Sequence, residues 1–461
     1  MTVINPHIFR QYDIRGVVGR DLTPELAQSV GRAFATVLRR EQTAGAALSV
    51  ALGRDNRPSS DQLAEAVSAG ARAAGVEVLD VGTVPTPALS FAAAYWETGG
   101  ALQVTGSHNP PDYNGFKLSI GGRSLYGDAI REIMRLIEAG DFESGEGGVE
   151  RRQILDIYLR EVSRRFSVGR PVKVVVDCGN GSGSLVAVDL LRALGDEVEV
   201  VPLYCESDGT FPNHHPDPVV DENLADLITT VQETGADLGV ALDGDADRIG
   251  AVDESGGIVR GDILLLLFGL DLLKRRGKGQ PLVFDVKCSQ TLPEVYERAG
   301  GRAVMAKTGH SLIKERMKRE RALLAGELSG HIMFADDYYG FDDALYAACL
   351  LVQVVSKLSG TLSEKISEFP RYLSSPEIRY PATEESKFGI VERAVAHFGR
   401  HREVIDVDGA RVLFGDGWGL VRASNTEPVL VARYEAETSG RLQEIRDEVE
   451  SWLEEQGVVT A

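Results

Sequence analysis

Leu48-Ser-Val-Ala-Leu52 and Val76-Glu-Val-Leu79 are two short, mostly apolar runs, and an alanine-rich segment of helical character separates them. Such runs predict strands, because branched apolar side chains pack well in a pleated sheet. An earlier helix is expected to begin at Thr23-Pro24-Glu25, where a capping residue, a first-turn proline and an early acid coincide. Strands and helices that alternate at this spacing indicate right-handed βαβ units on a parallel or mixed sheet.

The same alternation continues towards the C-terminus. Val172-Lys-Val-Val-Val176 has almost no polar alternation, so we expect a strand buried on both faces. Further strands are predicted at Ala236–Leu242, Leu282–Phe284, Ala303–Ala306 and Ala322–Ala325. From about residue 370 the pattern changes to short β-runs separated by glycine turns, followed by an amphipathic helix over 440–455. The sequence therefore predicts several α/β units and a C-terminal α+β domain.

Bulk properties indicate a multidomain protein of ordinary globular composition. The chain has 461 residues, more than one hydrophobic core usually supports. Its net charge of -20 predicts repulsion of nucleic acid and of anionic membrane surfaces. The four cysteines are widely spaced with no Cys-x-x-Cys, the N-terminus lacks a signal-like segment, and the longest apolar run is too short to span a bilayer. These features favour a cytoplasmic protein with reduced thiols.

Thr105-Gly-Ser-His-Asn-Pro-Pro-Asp-Tyr-Asn-Gly-Phe-Lys117 is the first candidate for chemistry, which we call the serine loop. It follows an apolar strand, and Asn114-Gly115 is interpreted as a second turn before the next strand. Ser107 stands on a stiff loop with His108 beside it, while Lys117 lies on the returning strand. A polar turn without function is the simpler interpretation. A Gly-x-Ser-x-Gly elbow is absent, which disfavours a serine hydrolase.

Asp243-Gly-Asp-Ala-Asp-Arg248, the acidic loop, follows a predicted strand. Three carboxylates this close repel one another unless a cation lies among them, and hard oxygen ligands suit Mg²⁺. A solvated acidic turn and an EF-hand are the alternatives. Glu254 falls at the twelfth EF-hand position, but Arg248 occupies the sixth, where glycine is needed. Mg²⁺ with an adjacent arginine is typical of phosphoryl transfer.

Three further segments carry weaker patterns. Arg422-Ala-Ser-Asn-Thr-Glu-Pro428 concentrates donors that suit a phosphate, although a polar turn is equally consistent. Glu327, Ser329 and His331 alternate so that they could face one way towards sugar hydroxyls. Asp177–Ser184 lacks the third glycine of a dinucleotide-binding fingerprint and is interpreted as a tight turn. His214 and His215 are taken as structural.

Together these segments resemble the α-D-phosphohexomutase family, most nearly its bacterial phosphomannomutase/phosphoglucomutase type. The resemblance extends from Tyr12-Asp-Ile-Arg-Gly16 to Pro428. It implies three similar mixed-sheet α/β domains and a C-terminal α+β domain around a central cleft. The expected boundaries are 1–148 for the phosphoserine domain, 149–256 for the metal-binding domain, 257–368 for the sugar-binding domain and 369–461 for the phosphate-binding domain.

The resemblance also implies residue roles. Ser107 would carry a phosphoryl group, and Mg²⁺ would be bound by that group with Asp243, Asp245 and Asp247. Candidate catalytic residues besides Ser107 are His108, Lys117, Arg248 and His310. Candidate substrate-binding residues are Tyr12, Arg15, Lys287, Glu327, Ser329, His331, Arg422, Ser424, Asn425 and Thr426.

The implied reaction is reversible interconversion of a hexose 6-phosphate and its 1-phosphate through a 1,6-bisphosphate, which would also act as an activator. Glucose and mannose phosphates are the expected substrates. Phosphoglucosamine mutase and a non-catalytic sugar-phosphate sensor are the alternatives; Leu328, where the family's commonest form has methionine, should not alter the reaction. We expect a phosphosugar as the small-molecule partner, no nucleic acid or membrane partner, and a monomer or weak homodimer.

Overall fold

The computed structural model describes residues 5–41, 48–425 and 427–459. The chain divides into two compact units. The first unit comprises Met1–Leu264 with Ser329–Glu364, and the second comprises Leu265–Leu328 with Lys365–Ala461.

Strands and helices alternate along most of the chain, as the sequence predicts. The strands are β1 (Ile14–Val17), β2 (Ser49–Arg54), β3 (Glu77–Thr83), β4 (Gly100–Val104), β5 (Tyr113–Ile120), β6 (Arg123–Ser124), β7 (Val149–Arg151), β8 (Val172–Asp177), β9 (Val198–Leu203), β10 (Leu238–Leu242), β11 (Ile249–Asp253), β12 (Ile258–Val259), β13 (Pro281–Asp285), β14 (Arg302–Ala306), β15 (Leu324–Gly326), β16 (Ile332–Phe334), β17 (Leu373–Ser374), β18 (Ile378–Pro381), β19 (Val404–Ile405), β20 (Ala410–Leu413), β21 (Gly417–Ala423) and β22 (Val429–Ala436).

The α-helices are α1 (Pro24–Glu41), α2 (Ser60–Ala73), α3 (Thr86–Tyr95), α4 (Asp128–Ala139), α5 (Leu155–Ser163), α6 (Ala187–Arg192), α7 (Ala225–Thr234), α8 (Gly261–Arg276), α9 (Thr291–Arg298), α10 (His310–Glu320), α11 (Ala344–Ser356), α12 (Leu362–Ser367), α13 (Lys387–Phe398) and α14 (Ser439–Glu455). Helix α1 begins at the predicted proline and ends one residue beyond Arg40. Strand β18 and helix α13 lie in the C-terminal region, where the sequence pattern did not indicate them.

The first unit contains two mixed sheets. The first sheet has the order β1-β5-β4-β2-β3-β7, with β6 attached to β5. Strand β2 runs parallel to β3 and β4, whereas β5 runs antiparallel to β1 and β4. The second sheet has the order β12-β11-β10-β8-β9, and its central strand β10 is parallel to β8 and antiparallel to β11. These sheets confirm the predicted mixed-sheet α/β architecture.

The second unit contains the parallel strands β14, β13 and β15 and an antiparallel C-terminal sheet. Strand β13 is parallel to β14 on one side and to β15 on the other. The C-terminal sheet has the order β17-β22-β21-β20-β19, with β18 attached to β22, and these pairings are antiparallel. Helices α13 and α14 bury apolar side chains against it, including Ile390, Phe398 and Trp452. This is the predicted α+β domain.

Buried strands place the polar loops at their carboxyl ends. Every residue of β4 and of β10 is buried. Because the carboxyl ends of parallel strands collect at one edge of a sheet, the loops that follow them are the expected location of a ligand site. The serine loop follows β4, and the acidic loop follows β10.

One local prediction is wrong. Asn114 and Gly115 lie inside β5 rather than in a turn. The Asn114 amide donates to the hydroxyls of Ser59 and Ser60, and a Cβ on Gly115 would come within 2.3 Å of the Ile14 carbonyl oxygen. This pair therefore serves close packing within the sheet, which a turn-forming pair does not reveal locally.

Candidate active site

Ser107 is a buried serine in a strained backbone conformation. Only 3% of its surface is exposed, and its φ angle is +48°. A non-glycine residue in this left-handed region is uncommon and clusters at functional sites. The Thr105 hydroxyl accepts a hydrogen bond from the Ser107 N–H at 2.8 Å, which helps to fix the turn.

Arg57 holds the serine loop from its backbone side. Its guanidinium donates to the carbonyl oxygens of Ser107 at 2.7 Å, Asn109 at 2.6 Å, Pro110 at 2.5 Å and Tyr113 at 3.1 Å. The Arg57 side chain is fully buried. Burial lowers its pKa, which shows how strongly the surrounding protein has replaced water around this cation.

Asp55 completes this anchor. Its carboxylate accepts from Arg57 Nε at 3.1 Å, from Thr105 Oγ1 at 2.8 Å and from the Gly106 N–H at 3.1 Å. A Cβ on Gly106 would lie 2.5 Å from the Arg57 guanidinium carbon, so glycine is required there. Asp55 and Arg57 are not among the site residues that the sequence indicated. Their position just beyond β2, at the same sheet edge as the serine loop, was the available indication.

The acidic loop packs directly against the serine loop. A Cβ on Gly244 would lie 2.4 Å from the Ser107 carbonyl oxygen, so only glycine permits this approach. Ser107 Oγ donates to Asp243 Oδ2 at 2.8 Å and lies 3.2 Å from His108 Nδ1. The structure thus brings together two loops that are separated by more than a hundred residues in sequence.

All three carboxylates of the acidic loop are buried, and Lys117 lies among them. Lys117 Nζ is 2.6 Å from Asp245 Oδ2 and 2.5 Å from Asp247 Oδ2. Asp243 accepts instead from the N–H groups of Asp247 and Arg248 at 3.0 and 3.1 Å. Thr86, another residue that sequence analysis did not identify, donates from Oγ1 to Asp245 Oδ2 at 2.5 Å.

The electrostatic surroundings give the carboxyls of Asp243 and Asp245 different pKa values. Burial, and then the charges of Asp245 and Asp247, raise the pKa of Asp243 to about 7. Burial also opposes ionisation of Asp245, but the ammonium of Lys117 outweighs it and lowers the pKa of that carboxyl. The pKa of Lys117 is raised because Asp245 and Asp247 outweigh the effect of its burial. Burial, with the nearby cations led by Arg248, lowers the pKa of His108 well below its usual range, so its imidazole is neutral.

The acidic triplet has the composition and spacing of a metal site. One oxygen from each of Asp243, Asp245 and Asp247 lies within 4.8 Å of the others. Oδ1 of Asp245 and Oδ1 of Asp247 are buried without a hydrogen-bond partner. Buried carboxylate oxygens that lack a donor, in a cluster of three acids, fit a hard divalent cation.

Arg248 and His331 border the triplet. Arg248 Nε lies 3.2 Å from Asp243 Oδ2, and its Nη1 lies 3.2 Å from Asp217 Oδ1, a partner that sequence analysis missed. His331 forms a β-bridge with Arg248, and its Nδ1 is 3.1 Å from Asp342 Oδ2. Arg248 and His331 therefore both lie beside the acidic loop in the first unit.

Arg15 also reaches the serine loop. It is 7% exposed, so it is not a simple surface charge. Its guanidinium donates to Asn109 Oδ1 and, at 2.6 Å, to Asp13 Oδ2, while its buried Nε has no hydrogen-bond partner. Tyr12 precedes it in a half-buried segment.

The second unit contains the phosphate-loop candidates. Arg422 lies near the end of β21, and its Nε is 2.9 Å from Asp408 Oδ2. The Ser424 hydroxyl accepts from the Glu427 N–H at 3.2 Å. Asn425 follows in the same loop, and Thr426 lies outside the described residues.

A network in the second unit fixes the loop that carries Lys287. Lys287 Nζ is 3.1 Å from Glu377 Oε2. Burial opposes the charge of Lys287, but the nearby carboxylates, led by Glu377, together raise its pKa. The fully buried Arg411 donates to the carbonyl oxygens of Val286 at 2.6 Å and Cys288 at 2.9 Å. Its guanidinium carbon lies 3.8 Å from the Trp418 ring centroid.

Glu327 and His310 also lie in the second unit. Glu327 Oε1 accepts from the Gly309 N–H at 2.6 Å, and His310 begins helix α10. Ser329 and His331 belong to the first unit. Residues 328–330 form a turn and bend rather than a strand, so the predicted alternation of Glu327, Ser329 and His331 does not apply.

The other sequence candidates take structural roles. His214 Nε2 lies 2.9 Å from Asp177 Oδ2, and Glu254 accepts from the Ser363 N–H at 3.2 Å. The turn that begins at Asp177 packs against the acidic loop, where Ser182 N–H donates to the Gly244 carbonyl at 2.9 Å. A tight turn is therefore the correct interpretation of Asp177–Ser184.

Models of known protein families match most of the chain. Four models match in chain order: phosphoglucomutase/phosphomannomutase alpha/beta/alpha domain I over residues 6–144, domain II over 156–257, domain III over 260–372 and the C-terminal domain over 377–451. A Pseudomonas putida protein named phosphomannomutase/phosphoglucomutase is 47% identical over 442 residues, which cover 95% of this chain and 94% of that protein. The chain belongs to the phosphoglucomutase/phosphomannomutase family.

Two further family members agree with this assignment. A Neisseria gonorrhoeae protein named phosphoglucomutase is 42% identical over 459 residues, covering 98% of each chain. A crystal structure of a phosphoglucomutase/phosphomannomutase family protein from Burkholderia thailandensis superposes with a TM-score of 0.91 at 40% identity, covering 97% of each chain. In the present chain, none of the helices among the residues that the structure describes is long and apolar enough to cross a membrane.

Proposed function

We propose that this protein catalyses the reversible interconversion of hexose 1-phosphates and hexose 6-phosphates, with glucose and mannose phosphates as substrates. The reaction would proceed through a phosphoserine at Ser107 and a hexose 1,6-bisphosphate. Relatives named phosphomannomutase/phosphoglucomutase and phosphoglucomutase, at 47% and 42% identity over nearly the whole chain, support this proposal.

The observation that carries the proposal is the 2.8 Å hydrogen bond from Ser107 Oγ to Asp243 Oδ2. It sets the buried hydroxyl of Ser107 against a cluster of three buried acids and two cations, Lys117 and Arg248. A serine needs such assistance to exchange a phosphoryl group, because its hydroxyl is otherwise a poor nucleophile.

In the forward half-reaction, the free sugar hydroxyl attacks the phosphorus carried by Ser107. The bond from phosphorus to Ser107 Oγ breaks, and the sugar oxygen–phosphorus bond forms. Lys117, an ammonium that lies against Asp245 and Asp247, is proposed to give a proton to the departing Ser107 oxygen. His310 is proposed to accept the proton of the attacking hydroxyl, since an imidazole can do so near neutral pH. The bisphosphate then returns its other phosphoryl group to Ser107.

Mg²⁺ is the proposed metal, bound by Asp243, Asp245, Asp247 and the phosphoryl oxygens of Ser107. When bound, it would offset negative charge on the transferring group. Arg248 would add a fixed positive charge beside the transferring phosphoryl group. His108, as a neutral imidazole, would stay within hydrogen-bond distance of Ser107 Oγ and would add no charge there.

The remaining candidate residues are proposed to bind substrate. Arg422, Ser424, Asn425 and Thr426 would hold the phosphate that is not reacting, because a guanidinium fork and adjacent donors suit a dianion. Glu327 and Ser329 would contact sugar hydroxyls. Further contacts are proposed for Tyr12, Arg15, Lys287 and His331.

The alternatives have weaker support. Phosphoglucosamine mutase is disfavoured by the names of the 47% and 42% identical relatives. A non-catalytic sensor would not need the buried cluster around Ser107. We further propose hexose 1,6-bisphosphate as the activator, a monomer or weak homodimer, and a cytoplasmic protein that binds neither nucleic acid nor membranes, in keeping with its net charge of -20.

Replacement of Ser107 by alanine tests the proposal. Wild-type protein with Mg²⁺ and a trace of glucose 1,6-bisphosphate should convert glucose 1-phosphate and mannose 1-phosphate to the 6-phosphates. Incubation with bisphosphate labelled in its phosphate should leave label on Ser107, found by peptide mass spectrometry. Ser107→Ala should lose both activities and the label.

Ser119→Ala is the matched control, because Ser119 lies on β5 beyond the end of the serine loop, where it pairs with Ala101 and Ser124. It should retain turnover and label. Full turnover by Ser107→Ala, or label at another residue, would contradict the phosphoserine mechanism.

A further inference from the structure

Cys178 and Cys205 form a thiol pair outside the proposed active site. Their Sγ atoms are 3.1 Å apart, although 27 residues separate them in sequence. Cys178 directly follows β8, and Cys205 lies two residues beyond β9. Sequence spacing gave no indication of this pair, because only the parallel pairing of these two strands brings it together.

The two thiols differ in access to solvent. Cys178 is fully buried, whereas Cys205 is partly exposed. Cys205 lines a cavity of about 570 Å³ together with Asn180, Tyr204 and Asn213. A small oxidant can therefore reach Cys205, whereas Cys178 is shielded from solvent.

The backbone around the pair lies within reach of a disulfide. Beyond the register Asp177–Leu203, the two segments stay hydrogen-bonded, with the Cys178 N–H donating to the Leu203 carbonyl at 3.2 Å. The register puts Cys178 opposite Tyr204, so Cys205 lies one residue further along its segment. Strands about 4.8 Å apart with a rise of about 3.3 Å per residue then give a Cα separation of roughly 6 Å, inside the range of about 4.4–6.8 Å that a disulfide spans. Bond formation requires the sulfurs to approach by roughly 1 Å, to about 2.05 Å.

The electrostatics of the pair favour the same order of reaction. The hydrogen bond with Cys178 lowers the pKa of the Cys205 thiol, against the effect of its partial burial. The hydrogen bond with Cys205, together with burial, raises the pKa of Cys178 well above its usual range. A thiolate is the nucleophile in thiol oxidation, so Cys205 is the thiol that reacts first.

We propose that Cys178 and Cys205 are a site of reversible oxidation, at which a peroxide closes a disulfide. The Cys205 thiolate attacks a peroxide oxygen, the O–O bond breaks, and the released hydroxide takes a proton to leave as water. Cys178 then attacks the resulting sulfenic acid, the S–O bond breaks, and a second water leaves. The two thiols together lose two electrons, and the peroxide gains them. This inference does not depend on the proposed mutase activity.

Peptide mapping of the full-length protein tests the site. Reduced, folded protein is treated with hydrogen peroxide, quenched, alkylated in denaturant and digested with trypsin without a reducing agent. Cleavage after Lys173, Arg192 and Arg248 separates the two cysteines into peptides 174–192 and 193–248. We expect these peptides to appear as one disulfide-linked species, two hydrogen masses lighter than their sum, which dithiothreitol separates.

Cys288 and Cys349 provide internal controls, because both are buried. Their peptides should remain alkylated after peroxide treatment. In Cys205→Ser, Cys178 should also remain alkylated, and Cys349→Ser should still form the linked species. Sulfinic acid at Cys205 with an alkylatable Cys178, or two unmodified thiols at peroxide concentrations that oxidise an exposed peptide cysteine, would overturn the proposal.

Discussion

Gly244 lies against Ser107 so closely that a Cβ on Gly244 would come within 2.4 Å of the Ser107 carbonyl oxygen. Two loops that supply different chemistry are therefore in direct backbone contact. The distance between Ser107 Oγ and the Asp243 carboxylate depends on this contact, since Asp243 immediately precedes Gly244 in the chain.

Gly244→Ala should separate the two loops by a few tenths of an ångström to one ångström. We expect turnover to fall on the order of a hundredfold, because a displacement of this size at reacting groups has that effect. Steady-state kinetics with glucose 1-phosphate measures it. Gly440→Ala is the control, as its Cβ would meet open space, and it should keep full activity. Unchanged turnover in Gly244→Ala would show that the close approach is not required.

Arg57→Lys retains the charge but removes the fork that serves the loop carbonyls. We expect a loss of about 3 kcal/mol in the free energy of unfolding, because buried carbonyl oxygens and Asp55 lose donors. Turnover should fall as well. Urea denaturation monitored by circular dichroism measures the stability. Arg152→Lys, at an exposed pair with Glu150, should lie within about 0.5 kcal/mol of wild type. Equal stability of the two variants would contradict this role for Arg57.

Asp247→Asn should weaken binding of Mg²⁺ by at least about tenfold, because it removes one of three clustered carboxylates that suit this ion. Isothermal titration calorimetry measures the affinity independently of catalysis. Chelation by EDTA should likewise abolish turnover, and Mg²⁺ should restore it. The exposed Asp196 supplies the control Asp196→Asn, with unchanged affinity. Wild-type affinity in Asp247→Asn would remove the acidic loop as the metal site.

Asp343 should make stability depend on pH. Tyr158 and Tyr338 donate hydroxyl hydrogen bonds to its carboxylate, yet burial raises its pKa to about 6. Because the folded pKa exceeds the unfolded value of about 3.9, the carboxyl binds its proton more tightly in the folded state. The folded protein therefore loses about 3 kcal/mol from this group as pH rises from about 4 to above 6.

Asp343→Asn cannot ionise, so its stability relative to wild type should improve by that amount over the same range of pH. Urea denaturation of both proteins at several pH values gives the difference. The variant Asp196→Asn, at an exposed position, again serves as the control. Parallel curves for Asp343→Asn and wild type would refute the raised pKa.

Arg411→Lys tests the network behind Lys287. The variant loses the planar stack on Trp418 and at least one of the two carbonyl hydrogen bonds. Stability should fall by about 2–3 kcal/mol, and KM for the phosphosugar should rise because the Lys287 loop is no longer fixed. Thermal denaturation and kinetics measure both effects. The exposed Arg400→Lys is the control; if Arg411→Lys matched it in both measurements, the network would have no positioning role.

The sequence was sufficient where chemistry is local in the chain. The serine loop and the acidic loop each follow a buried apolar strand, so both their character and their sheet edge were predictable. Arg57 and Thr86 were not, because their importance comes from carbonyls and a carboxylate fifty or more residues away. Asp217 was not, because its partner is the guanidinium of Arg248 on a different loop. Asn114-Gly115 misled because the same residues suit a turn and a tightly packed strand.

The anchoring of the serine loop makes no use of Ser107 Oγ. Arg57 donates hydrogen bonds to main-chain carbonyls, and Asp55 accepts hydrogen bonds from the two residues just before the serine. Because these contacts are with main-chain atoms, they can hold Ser107 in the same position whether its side chain ends in a hydroxyl or in a phosphate ester of double negative charge. Under the proposed phosphoserine mechanism, Ser107 could therefore gain and lose its phosphoryl group in every cycle while the main chain that holds it stays in place.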